Sequence, residues 1–185
     1  MEGIPGSGKT TLLRALRRVF PAARLVPELV EPAQGVADVA FFVANDRRKE
    51  HLVRSGPPAL LDRYWPSTAA YALALDRLRG RPTGPADVVE RLFGETPSDP
   101  GGYVFLDAPR ALRRPYAVDG HFADAEFRNL LRSAYFDLFA AGRAPVLLLS
   151  DSDTATDTTI AFVARHLDLS QEGATPWPVP VSLPS

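Results

Sequence analysis

The chain has 185 residues, a formal net charge of −1 and 45% hydrophobic residues. That suffices for one domain with a sizeable core and gives no global electrostatic case for a nucleic-acid polymer or an anionic membrane as partner. It has no cysteine, which excludes a disulfide framework or a thiolate metal site and fits a cytoplasmic location; no apolar run reaches membrane-spanning length and no signal peptide is visible.

The first motif opens the chain. Gly3-Ile4-Pro5-Gly6-Ser7-Gly8-Lys9-Thr10 fills every position of G-x-x-x-x-G-K-[ST], the phosphate-binding P-loop. Gly6 and Gly8 allow positive φ, so that the N–H groups from Gly6 through Ser7, Gly8 and Lys9 to Thr10 and Thr11 turn toward phosphate oxygens. Lys9 reaches the β- and γ-phosphates of ATP, and the Thr10 hydroxyl is placed for Mg²⁺. Only Met1 and Glu2 precede Gly3. The buried strand that normally carries a P-loop is therefore expected to be missing, with the native start upstream of Met1.

The periodicity then predicts a helix over 10–20, stopped by Pro21, and a short strand over 23–27 ending at Glu28. A long helix follows over 36–55, with Phe41, Phe42 and Leu52 on its apolar side. Gly56-Pro57-Pro58 breaks it before a buried strand at 59–61, which ends in Asp62-Arg63. Further helices are predicted over 67–78, 86–92, 123–141 and 156–167, and strands over 103–106 and 145–149. Segment 80–102 is rich in Gly, Pro and Asp, and 109–120 carries Arg113 and Arg114. The tail 170–185, with Pro176, Pro178 and Pro180, is expected to be disordered.

Alternating helices and short apolar runs predict an α/β fold of the P-loop NTPase type: a mainly parallel sheet in a three-layer α/β/α sandwich, one domain over 1–169. Glu28, Asp62-Arg63 and Asp107 all stand at strand ends, where open α/β sheets bind ligands.

Leu61-Asp62-Arg63-Tyr64-Trp65-Pro66-Ser67-Thr68-Ala69-Ala70-Tyr71 resembles the D-R-Y-x-x-S-x-x-A-Y signature of thymidylate kinases. Phe42-Val43-Ala44-Asn45-Asp46-Arg47 is similar to the F-A-x-D-R segment of that family, and 103–109 to the strand before its Arg-rich lid, here about 108–122. The resemblance implies ATP-dependent, Mg²⁺-dependent phosphoryl transfer to a nucleoside monophosphate. It implies that Arg63 holds the acceptor phosphate, Ser67 and Thr68 lie near the base, Tyr71 packs on the sugar and Arg47 bonds the base edge. Asp62 would help hold Mg²⁺, and Arg113 and Arg114 would neutralise the transferred group. Phe42 reads equally as core or as a base-stacking platform, and Pro5 stands where the family usually has an acidic residue. The family commonly dimerises through its long helices, so a homodimer is a further expectation.

Pro27-Glu28-Leu29-Val30-Glu31-Pro32 is similar instead to the P-E-P-V-E stretch of deoxynucleoside kinases. That resemblance implies Glu28 as a general base toward a hydroxyl on a nucleoside or other small molecule. Three readings stay open: a monophosphate kinase, a hydroxyl kinase, and a non-catalytic nucleotide-binding protein or truncated remnant.

Overall fold

The computed structural model describes residues 1–31, 38–54, 56–107, 120–150 and 155–167. Five parallel strands, β1 (Glu2–Gly3), β2 (Arg24–Val26), β3 (Ala59–Leu61), β4 (Tyr103–Leu106) and β5 (Val146–Leu149), alternate with six helices among these residues. The helices are α1 (Lys9–Val19), α2 (Val39–Arg54), α3 (Trp65–Leu78), α4 (Pro85–Phe93), α5 (Ala125–Ala141) and α6 (Ala155–His166). A single 3₁₀ turn, His121–Ala123, precedes α5.

The first strand is present as two residues, which corrects the expectation that it is missing from the chain. Glu2 and Gly3 pair with Phe105 and Leu106 of β4. The Met1 amino group donates to the Leu61 carbonyl at 2.9 Å and the Arg63 N–H donates to the Met1 carbonyl at 3.0 Å. These two bonds lie between the β1-β4-β5 sheet and the β2-β3 pair. Gly3 has φ of +141°, and a Cβ there would meet the Leu106 carbonyl oxygen at 2.6 Å. Only glycine lets β1 lie this close to β4. A small cleft of about 90 Å³ lies beside Met1 between the amino ends of β3 and β4.

Strand periodicity separates two cores. Leu60, Val104 and Leu106 face α1 and α6, packing with Leu12, Leu13, Leu16 and Val163. Leu61 and Phe105 face the other way, into the larger core under α3, α4 and α5 with Leu73, Phe127 and Leu138. The expected helix and strand positions hold within a few residues. Helix α3 begins at Trp65 instead of 67 because Pro66, with its fixed φ, fits the first turn. Among the described residues no helix is long and apolar enough to cross a membrane. Most of the anticipated lid (108–119) and the tail (168–185) lie outside the described residues.

Candidate active site

The P-loop leaves β1 and turns into α1 through Gly8, whose φ of +91° places it in the left-handed region. Its carbonyl accepts from both Thr11 N–H and Leu12 N–H at 3.1 Å. Lys9 is only 7% exposed. Its ammonium donates to the carbonyls of Gly3 (3.0 Å) and Ile4 (2.9 Å) and to Ser7 Oγ (3.4 Å). Burial, with a further push from the Arg63 charge, lowers its pKa from the usual lysine range to about 7. Gly6, Gly8, Thr10 and Thr11 are exposed and Ser7 is buried beneath them.

A cavity of about 560 Å³ adjoins this loop, within the range of small-molecule sites. Pro5 of the P-loop lines it, as do Glu28 after β2, Arg63 after β3, and one face each of α2 and α3. Asp38 stands just before α2, and the α2 face is Val39, Phe42, Asn45, Asp46 and Lys49; on α3 it is Ser67, Thr68, Tyr71 and Leu75. The spacing of three and four residues keeps each set on one side of its helix. Phe122 adds a further apolar side chain.

Arg63 is the hub. Its Nε lies 3.0 Å from Glu28 Oε1, an ion-pair contact outside hydrogen-bond alignment. Its Nη1 donates to Ser67 Oγ and Tyr135 OH, both at 3.2 Å. Its backbone has φ of +56°, the left-handed conformation that non-glycine residues rarely adopt. Two features hold that turn. Lys49, 1% exposed, donates to the carbonyls of Asp62 (2.9 Å) and Arg63 (2.8 Å). Glu2, fully buried, accepts from Tyr64 N–H at 2.7 Å and from the Ser67 hydroxyl. Burial raises the Glu2 pKa above the ordinary carboxylate range, opposed by the Met1 ammonium and Ser67.

The other predicted residues fall unevenly around this hub. Ser67, Thr68, Tyr71 and Phe42 line the cavity with Arg63 and Glu28. Tyr71 also stacks edge-on against Phe127 at 5.3 Å, so it is at once cavity wall and aromatic core. Arg47 does not line the cavity: it is exposed, and its Nη2 donates to the Phe93 carbonyl at the end of α4. The structure therefore does not bring Arg47 to the cavity wall, where its neighbour Asp46 stands with Asn45 and Lys49. Arg113 and Arg114 lie outside the described residues.

Sequence reasoning missed five side chains. Glu2 and Lys49 hold the Arg63 turn, and Tyr135 accepts from its guanidinium. Asn45, 2% exposed, accepts from Val30 N–H and donates to the Glu28 carbonyl, each at 2.9 Å, fixing the loop that presents Glu28. Asp46, 4% exposed, accepts from Thr68 Oγ1 at 2.6 Å, and burial pushes its pKa up to about 7. One signal was available: the chain's only lysines are Lys9 and Lys49, and in so arginine-rich a sequence a lysine marks a place where a guanidinium does not fit.

For a divalent cation the donor set is hard oxygen. Asp62 Oδ1 is buried with no partner among the described residues, and Thr10 offers an exposed hydroxyl at the start of α1. Such a pair suits Mg²⁺, which takes few protein ligands and completes its shell with phosphate oxygens and water. No cluster of three or more acidic, histidine or cysteine side chains able to hold a metal occurs among the described residues.

No protein-family model matches the chain, and neither does any curated protein. Solved structures do. The chain is similar to thymidylate kinase from Candida albicans, at 17% identity and a TM-score of 0.64 over 89% of each chain. It is similar to deoxyadenosine kinase from M. mycoides with bound dATP, at 12% identity and a TM-score of 0.62 over 90% of this chain and 97% of that one. The same enzyme with bound dCTP gives 13% identity and a TM-score of 0.52 over 90% and 96%. The chain has the α/β P-loop kinase fold of the thymidylate and deoxynucleoside kinases.

Proposed function

We propose that the chain is an ATP-dependent phosphotransferase acting on a hydroxyl of a nucleoside-sized acceptor held between α2 and α3, with Glu28 as general base. One observation carries the choice of a hydroxyl: Glu28 lines the cavity in ion-pair contact with Arg63. A phosphate monoester there would have to displace the Glu28 carboxylate from the guanidinium. Besides Arg63, the described cavity offers one other cation, Lys49, whose ammonium is bound to two carbonyls, against the carboxyls of Glu28, Asp38 and Asp46. A hydroxyl acceptor needs no second cation and gains from a carboxylate within reach.

The chemistry follows from placement. The amides of Gly6 to Thr11 cradle the triphosphate, and Lys9 leaves its own loop carbonyls for phosphate oxygens. Asp62 and Thr10 would hold Mg²⁺, which supplies charge neutralisation to the phosphate oxygens. Glu28 takes the hydroxyl proton as that oxygen bonds the γ-phosphorus. The bond to the β,γ-bridging oxygen breaks and ADP departs. Arg63 keeps Glu28 oriented and faces the developing charge.

The second reading, transfer to a nucleoside monophosphate, is favoured by the Asp62-Arg63 sequence and by Arg63 on the cavity wall. Labelled ATP with a panel of nucleosides and their 5′-monophosphates separates the two. The hydroxyl reading expects nucleosides to be phosphorylated, Lys9→Ala to abolish transfer, and Glu28→Gln to slow it by about two to four decades. Transfer only to monophosphates, unaffected by Glu28→Gln, would establish the second reading. ATP uptake without transfer to any acceptor would establish a non-catalytic nucleotide binder.

A further inference from the structure

The cavity has two chemically different ends. Near the P-loop stand Glu28 and Arg63. One helical turn or less beyond Ser67 and Lys49, the two helices face each other through Thr68 and Asp46, both buried and both lining the cavity. The Thr68 hydroxyl spends its only hydrogen on Asp46 Oδ2, at 2.6 Å. Above about pH 7, where Asp46 is ionised, what remains on this pair is lone pairs: those of Thr68 Oγ1 and of the Asp46 carboxylate. One turn further along each helix stand Phe42 and Tyr71, whose faces suit a flat ring.

A wall of acceptors between aromatic side chains is selective by its nature. A ring that presents a carbonyl oxygen there sets lone pair against lone pair and leaves buried polar groups unmatched. A ring that presents N–H₂ supplies what the pair lacks. Arg47, which would have reversed this preference, points instead to the Phe93 carbonyl.

We propose that Asp46 and Thr68 determine specificity, selecting acceptors whose ring carries an exocyclic amino group and rejecting the matching oxo compounds. The inference rests on the reading that this cavity holds the acceptor. Its test uses pairs of nucleosides that differ only in that group: deoxycytidine against deoxyuridine, and deoxyadenosine against deoxyinosine, with their 5′-monophosphates alongside. Both transfer from ATP and equilibrium binding by calorimetry are measured on the full chain at about pH 8, where Asp46 is ionised.

The wild-type protein is expected to favour the amino member of at least one pair by about 10- to 100-fold in kcat/KM and in affinity. Asp46→Asn keeps the shape and can still accept from Thr68, yet its amide also donates. It is expected to compress the ratio to within about threefold while circular dichroism and Tm show a folded chain. Should Asp46→Asn not fold, Thr68→Val, which loosens the carboxyl, is expected to lower the ratio. An indifferent or oxo-preferring wild-type protein, or an Asp46→Asn protein with the wild-type ratio, would overturn the proposal. Amino-selective binding without any transfer would sustain it while removing the kinase reading. Transfer with no amino preference would do the reverse, and binding of no member of either pair would overturn both.

Discussion

At the scale of single residues the site is defined by buried charges that a ligand would rearrange, and Lys9 is the clearest. In the protein as it stands, its ammonium is bonded to its own loop and its pKa is lowered to about 7. A bound triphosphate would surround it with negative oxygens and return the pKa toward the ordinary lysine value of about 10.4. At pH 8.5 the empty loop then holds mostly neutral lysine and the loaded loop holds its cation, so binding takes up a proton. The affinity for a triphosphate should fall as pH rises above about 7, by up to tenfold per unit. Calorimetry at pH 8.5 in two buffers of different ionisation enthalpy is expected to show uptake approaching one proton, and Lys9→Arg to abolish it. Uptake of none by the wild-type chain would mean that Lys9 is already charged in the empty loop. At this scale the sequence was uneven as a guide. A spacing rule picks out Lys9, Arg63, Ser67 and Thr68, the last three on the cavity wall, because their motifs are made of neighbours in the chain. Tyr135 meets Arg63 and Glu2 meets the Tyr64 N–H across separations of more than sixty residues, and no local pattern announces such a meeting.

At the scale of elements, α2 carries the main lesson. Its sequence suggested an inner stripe of Phe41, Phe42 and Leu52. The residues buried on it are Asn45, Asp46 and Lys49. A hydrophobic stripe marks a helix face against a core, but this face lines a cavity and two loop ends, so its inward residues are polar. Each has a partner: Asn45 the Glu28 loop, Asp46 Thr68, and Lys49 the Asp62 and Arg63 carbonyls. The boundaries of α2 were legible from its breakers, and its orientation was not. A consequence concerns Asn45, which reaches from α2 to hold the backbone on both sides of Leu29. Asn45→Ala removes both bonds to this part-buried segment, a loss of about 1 kcal/mol in stability. The Glu28 loop is then free to move. Transfer to a hydroxyl acceptor should slow by at least about tenfold in kcat, while triphosphate affinity, set in a separate loop, stays within about twofold. Single-turnover kinetics with calorimetric binding of a non-hydrolysable triphosphate separates the two quantities. An equal fall in both would show that Asn45 supports the P-loop as well.

At the scale of the whole molecule, the buried charges that equip the site also shape its stability, and they do so with opposite signs on the two sides of neutrality. Asp46 and Glu2 have pKa values raised by burial, Asp46 to about 7. An acid whose folded pKa lies above its unfolded value binds more protons when folded. Its contribution is therefore full below about pH 4 and lost as pH rises through the folded value. Lys9 and Lys49 have pKa values lowered by burial, Lys9 to about 7. A base of that kind binds more protons when unfolded, so stability rises with pH between about 7 and 10. The two trends meet near neutral pH, where both the acids and the bases are being forced to carry charge in a dry interior. The empty protein should accordingly pass through a minimum of unfolding free energy near pH 7, where many proteins have their maximum. Urea denaturation in steps from pH 4.5 to 9.5 is the measurement. Lys9→Met should flatten the alkaline limb and leave the acid limb intact, whereas Asp46→Asn should flatten the acid limb and, by removing the charge beside Lys49, steepen the alkaline one. A saturating triphosphate should lift the alkaline limb most near neutrality, since it gives Lys9 the counter-charge that its own loop carbonyls cannot. A single broad maximum near neutrality in the empty wild-type chain would show that these groups are hydrated, and with them the view of the site as a set of charges waiting for a ligand would fall.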